Sequence, residues 1–251
     1  MISIITCYRH PVLQAIQERN AKKTVGTECE FIGIDGSCGK SIASAYNEGK
    51  SKAKGDFLVF IPEDALFMKM NWGISIEQRF NTDPLLGLIG IAGTQFLFQD
   101  KYSWTAAGRP FIKGRIVYHL ENGDFFAVVF SPENGDFEVV ACDGSFMALR
   151  AELFDRISFD ETIFDGDYFY DLDLSMQVSL VARQIITTDI VLKRRTQNVF
   201  DKRWHHYGEL FLKKHSELLP VSCVEEVPDP AKFISSKCVN LKGKAPMETI
   251  L

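Results

Sequence analysis

Residues 30–64 read EFIGIDGSCGKSIASAYNEGKSKAKGDFLVFIPED, and this stretch decides the fold class. Residues 30–34 form a short apolar run closed by the turn signal Asp35-Gly36. Residues 40–53 carry Ile42, Ala45, Tyr46, Gly49 and Ala53 near one face, which predicts an amphipathic helix. Gly55-Asp56 breaks that helix, and residues 57–61 are a second apolar run ending in Pro62-Glu63-Asp64. Strand, helix and strand in so short a span imply a parallel sheet with a right-handed crossover.

The alternation extends both ways. Residues 2–7, ISIITC, are a continuous apolar run of the kind buried on both faces of a parallel strand. Residues 11–21 read as a helix opened by Pro11, and a helix near 72–80 and a strand near 86–92 follow. From about 114 to 150 the pattern changes to alternating runs punctuated by Glu121-Asn-Gly-Asp and Glu133-Asn-Gly-Asp, two hairpin-type turns. These strands are expected to be antiparallel, on the same sheet or beside it. Helix returns at 168–182, strand at 184–192 and helix at 204–219. Beyond Pro220 few apolar positions recur, so 223–251 is expected to be a surface tail after one domain spanning 1–222.

Composition narrows the function classes. The 251 residues are 46% hydrophobic and 24% charged, a globular balance, and 20 phenylalanines suggest a well-filled core. A net charge of −5 argues against a protein that grips a nucleic-acid backbone. A small anionic ligand stays compatible, because a metal ion or backbone amides offset its charge locally. Six scattered cysteines without a CxxC pair fit neither a zinc site nor a disulfide scaffold. No basic segment precedes the first apolar run, and no stretch reaches the roughly 18 apolar residues of a membrane span. A cytoplasmic protein with reduced thiols is expected.

In an open parallel sheet the ligand sits beyond the carboxyl ends of the strands. Those ends carry Thr6-Cys7-Tyr8-Arg9, Asp35-Gly36-Ser37 and Glu63-Asp64. Tyr8 can stack on a base, Asp35 can accept from a base N–H, and Asp64 can hold a divalent cation bridging a diphosphate. Each has a plainer role open to it: Tyr8 covering a strand end, Asp35 making a turn, Asp64 capping the next element of the chain.

The set ISIITCYRHP, FIGIDGS, SIASAYNEG and AKGDFLVFIPED, in that order and spacing, resembles GT-A glycosyltransferases of the family 2 type. The resemblance implies a Rossmann-like nucleotide-binding half with a mixed sheet over 1–92 and an antiparallel acceptor-side extension over 93–222. It implies a UDP-sugar donor, with Thr6 and Tyr8 holding the uracil, Asp35 reading its N3, and Arg9, Ser41, Asn47 and Glu63 nearby. It also implies Mn2+ or Mg2+ at an Asp-x-Asp, of which only Asp64 survives here because Pro62 stands in the first position. A related branch carries His-x-Asp there.

The likeness continues through residues 140–148, VACDGSFMA, which match the strand lining the acceptor side and bring in Asp143 and Gly144. Phe159-Asp-Glu and Phe169-Tyr-Asp-Leu-Asp-Leu match the segment that carries the catalytic base, which the pattern places at Asp171. In the first turn of a helix the dipole favours the ionised form of both Asp171 and Asp173. Two residues apart they point to different sides, so only Asp171 is expected to face the cleft, with Asp173 capping or structural.

By the same resemblance His205 or His206 would complete the metal shell; Trp104, in the loop-like stretch Tyr102-Ser-Trp-Thr, could stack on an acceptor sugar. A solvated helix start and a core tryptophan are the plainer readings. Arg194-Arg195 could neutralise a diphosphate as bidentate donors, or end a strand in solvent. His10, His119 and His215 show no partners at metal-site spacing and receive no role.

Two other functions fit parts of the sequence. A chain lacking the first carboxylate could bind a nucleotide-sugar without turning it over. Gly39-Lys40-Ser41 after a strand imitates a P-loop for ATP, but Ile34 stands where the first glycine of that loop is required.

Overall fold

The computed structural model describes residues 1–119, 123–195 and 200–241. The strands β1 (Ile2–Tyr8), β2 (Cys29–Asp35) and β3 (Phe57–Phe60) alternate with the helices α1 (Pro11–Thr24) and α2 (Ile42–Lys52). Then come β4 (Leu66–Phe67), α3 (Trp72–Thr82) and β5 (Leu86–Gly90). A run of short strands comes next: β6 (Ala92–Thr94), β7 (Phe96–Leu97), β8 (Ile112–His119), β9 (Phe125–Val129), β10 (Asp136–Glu138), β11 (Ala141–Cys142) and β12 (Met147–Arg150). The remaining elements are α4 (Tyr170–Ser179), β13 (Arg183–Thr187), β14 (Leu192–Arg194), α5 (Lys202–Lys214), β15 (Val221–Ser222) and β16 (Lys237–Asn240).

Side-chain caps set two helix starts. Ser41 accepts from the Ser44 N–H at 3.1 Å, so α2 begins at Ile42. Asp201 accepts from the Trp204 N–H at 2.8 Å, which moves the start of α5 back from the predicted 204.

The central seven-stranded sheet runs β10-β13-β5-β12-β3-β1-β2. β2, β1 and β3 are parallel, and the register places Tyr8 beside Asp35. β12 inserts antiparallel between β3 and β5, so the uninterrupted parallel order expected for the first ninety-odd residues is broken by a later strand. One apolar layer forms around Ile2, Ile4, Val59, Trp72 and Phe80 on the face of α1 and α3. A second holds Ile5, Cys7, Tyr46, Phe60 and Leu174 on the face of α2 and α4. β1 is thus covered on both faces, which explains its unbroken apolar run.

A second sheet, β11-β6-β8-β14-β4 with β9 on β8 and β16 on β9, leans against the first. The predicted strand 86–92 is in fact two, because the chain bends at Ile91 from one sheet into the other. Gly114 makes that close packing possible: at φ +92° a Cβ there would lie 1.9 Å from the Ile91 carbonyl oxygen.

Two further expectations are corrected by the fold. Glu133-Asn-Gly-Asp closes no hairpin, since β9 pairs with β8 and β16 while β10 pairs with β13. The first such turn begins outside the described residues. The expected tail is partly strand: β16 pairs with β9. Residues 242–251 of that tail also lie outside the described residues. Among the described residues no helix is long and apolar enough to cross a membrane.

Candidate active site

The carboxyl ends of β1, β2 and β3 open onto one edge of the central sheet. Gly33 leaves the Tyr8 ring lying over β2, since a Cβ there would be 3.2 Å from the ring. Tyr8 is half-buried and its neighbour Asp35 is exposed. Asp35 accepts from the Ser37 N–H at 2.8 Å, and the Ser37 hydroxyl and amide hold its carboxyl below the usual range. An aromatic face and a charged acceptor therefore stand side by side, open to solvent. Thr6 is fully buried, and its hydroxyl has no hydrogen-bond partner among the described residues.

The neighbouring candidates are held by the protein itself. Arg9 bonds Asp167 at 2.7 Å. Ser41 caps α2, and Asn47 bridges to the Phe159 backbone, donating at 2.9 Å and accepting at 3.2 Å. Glu63 accepts from the Arg9 and His10 N–H groups at 2.8 and 2.9 Å and meets the His10 ring at 2.8 Å. These four stitch strand ends and loops together. Lys40, the would-be P-loop lysine, is bonded to Glu48 on α2, away from the role a phosphate-binding lysine needs.

Asp64 is buried and faces a cation. β14 runs antiparallel to β4 with Lys193 opposite Leu66, so one step further Arg194 comes level with the residues just before β4. The Arg194 Nε donates to Asp64 Oδ1 at 3.1 Å, and the Arg195 N–H donates to Oδ2 at 3.1 Å. Arg194 Nη1 also donates to the Ser145 hydroxyl at 3.1 Å, and that hydroxyl donates to Asp143. Burial works against the guanidinium charge, but Asp64 and Asp143 outweigh it and hold Arg194 above its ordinary pKa.

Asp171 forms the adjoining wall. Its Oδ2 accepts from the Gly144 N–H at 2.7 Å and its Oδ1 from the Leu172 N–H at 2.9 Å. A Cβ on Gly144 would lie 2.5 Å from the Tyr170 hydroxyl and 3.0 Å from Asp171, so this turn has no room for a side chain. Burial first, and the charge of Asp143 second, push the Asp171 carboxyl up to about 7, against the pull of the two N–H groups. Asp171 keeps a partly exposed edge despite that dense setting. A carboxyl poised near neutrality in a polar wall is suited to general-base work.

Asp173 turns the other way and is fully buried. It meets His215 Nε2 and Lys214 Nζ, each at 2.7 Å, and accepts from Gln177 at 2.9 Å. It is not the helix cap; that position is Phe169, at φ 64°. The His215 partner was invisible in the sequence because 42 residues separate the two.

Three expected residues are not gathered at the cleft. Trp104 begins a short 3-10 turn and is buried, its ring edge-on to Phe130 at 4.8 Å, which is a core position. His205 bonds the Tyr102 hydroxyl at 2.6 Å, and His206 is exposed on α5. Among the described residues no three His, Cys, Asp or Glu side chains form a group able to hold a metal ion. At Asp64 both oxygens already accept from Arg194 and Arg195, Pro62 brings no ligand, and Glu63 is drawn away to Arg9 and His10. A divalent cation that keeps waters and substrate phosphates in its shell still needs a protein carboxylate free to ligate it, and Asp64, held through both oxygens, does not fit that role.

The sequence profile of a glycosyltransferase-like family matches residues 3–218. The chain belongs to that glycosyltransferase family. No curated protein sequence matches it. Its fold is the GT-A fold. GalNAc-T7, solved with UDP, GalNAc and Mn2+, is similar at 9% identity and a TM-score of 0.55. That likeness covers 78% of this chain and 44% of GalNAc-T7. The mannosyltransferase PcManGT from Pyrobaculum calidifontis, solved with GDP-Man and Mn2+, is similar at 14% identity and a TM-score of 0.49. It is covered over 66% of its chain, and this glycosyltransferase-family chain over 92%.

Proposed function

We propose that the chain binds a UDP-sugar across the ends of β1, β2 and β3 and transfers the sugar, with inversion, to a hydroxyl acceptor. The single observation that carries the donor reading is the Tyr8 ring seated over Gly33 beside the exposed, ionised Asp35. A flat aromatic face next to an acceptor-only carboxylate suits uracil, which offers a π-face and an imide N–H. Residues 1–92 then carry the donor and residues 93–222 the acceptor, whose wall includes Asp143 and Gly144. Thr6, fully buried, backs the end of β1 from within, while Ser41, Asn47 and Glu63 hold the site's shape.

In the transfer, the acceptor oxygen attacks the anomeric carbon and the bond from that carbon to the diphosphate oxygen breaks. The acceptor proton passes to the ionised Asp171 carboxylate, and UDP departs with the bonding pair. No step here runs through a divalent cation.

Calorimetry tests the donor reading. UDP is expected to bind the parent more tightly than GDP or ADP, and Tyr8→Ala to weaken it by roughly 1–3 kcal/mol, the worth of one stacked base. Equal affinity for the three nucleotides, or for UDP in Tyr8→Ala and parent, overturns the assignment.

A further inference from the structure

We infer that Arg194 is the fixed cation of this site, and that it binds the diphosphate of the nucleotide without a metal ion. The inference rests on the donor reading above and adds the source of the positive charge.

A diphosphate carries concentrated negative charge, and its site needs a positive group beside it. The described residues offer one already in position. Arg194 ends β14, its side chain is 13% exposed, and it contacts Asp64 and Ser145 through Nε and Nη1. Its Nη2 makes no hydrogen bond among the described residues, so both Nη2 N–H donors stay open on a planar group suited to phosphate oxygens. The carboxylates Asp64 and Asp143 lie on its protein side and fix the guanidinium in place, directly and through Ser145. Arg195 comes next in the chain with an exposed side chain, available to the outer face of the same anion.

The same atoms that hold Arg194 exclude the alternative. A metal ion at Asp64 would have to displace the Arg194 Nε and the Arg195 N–H from that carboxylate. It would then face the positive guanidinium at short range, with Pro62 where a second carboxylate ligand would stand. Arg194 is thus set to take the charge that builds on the departing diphosphate as the glycosidic bond breaks.

The test is UDP affinity of the full chain by calorimetry, in EDTA and in 1 mM Mn2+ as defined conditions, for parent, Arg194→Lys and Arg194→Gln. The parent is expected to bind UDP in EDTA within about twofold of its affinity in Mn2+, Arg194→Lys more weakly, and Arg194→Gln at least tenfold more weakly. Removing Arg194 leaves Asp64 without its partner cation and could unfold the chain. The pair Arg194→Gln with Asp64→Asn removes both charges and must show the same loss. A tenfold or larger gain from Mn2+ in the parent, or undiminished binding in the paired variant, overturns the inference while leaving the donor reading standing. No binding of UDP in either condition overturns the donor reading, and this inference with it.

Discussion

Replacing Asp171 by Asn should change the pH dependence of stability in a calculable way. The folded chain holds the Asp171 proton up to about 7, whereas the ordinary value is 3.8. Between those values the unfolded chain has released a proton that the folded chain keeps, so stability falls as pH rises through the window. Below about pH 4 the penalty is absent, and above about pH 7 it is complete. At about 1.4 kcal/mol per pH unit the full shift corresponds to about 4 kcal/mol, and its partly exposed edge lowers the realistic figure to roughly 2–3 kcal/mol. An Asn oxygen can serve only one of the two N–H groups, Gly144 and Leu172, that the carboxylate serves now. That loss costs roughly 1–3 kcal/mol at every pH. Urea denaturation at pH 4 and pH 8 separates the two effects. Asp171→Asn is expected to be less stable than the parent at pH 4, with the gap closing or reversing by about 2–3 kcal/mol at pH 8. A stability difference that does not move with pH, or that widens in the parent's favour as pH rises, refutes the reasoning.

Two other substitutions separate structure from chemistry. Asp173→Asn removes the buried carboxylate that meets the His215 ring and one of the two carboxylates facing Lys214, and should cost about 3 kcal/mol in urea denaturation while UDP affinity is unchanged; a loss of UDP affinity without loss of stability contradicts this. Trp104→Ala empties a core site against Phe130 and should cost roughly 3–5 kcal/mol; a neutral effect on the melting transition would return Trp104 to the surface.

The parallel half of the fold was legible because β1, β2, β3 and their helices announce themselves by local apolar runs and turn signals. The place of β12 was not, because nothing within residues 147–150 says which two strands it will part. Strands of two residues such as β4, β7 and β15 carry too little pattern to read at all. β16, KCVN, is an edge strand held by backbone pairing with β9, so its side chains need not alternate in a way that marks it.

At the site, the opposed directions of Asp171 and Asp173 were legible from their spacing on one helical turn. The partners of each came from elsewhere in the chain: Gly144 for one, His215 for the other. Trp104 read as a loop residue because Ser103 and Thr105 flank it, and its burial depends on Phe130, far along the chain. Arg194 could be read equally as a strand end or a phosphate donor. The register between β14 and β4, which brings it to Asp64, is a property of the folded sheet alone.

The central claim is transfer from a UDP-sugar with Asp171 as base, and the most direct measurement is UDP release from a panel of UDP-sugars by the parent and by Asp171→Asn. The parent should release UDP from at least one sugar above the rate in buffer. Asp171→Asn should bind UDP as the parent does and release it roughly 10²–10⁴-fold more slowly. Release at the buffer rate from every UDP-sugar by a parent that binds UDP, or release by Asp171→Asn at the parental rate, would contradict the account.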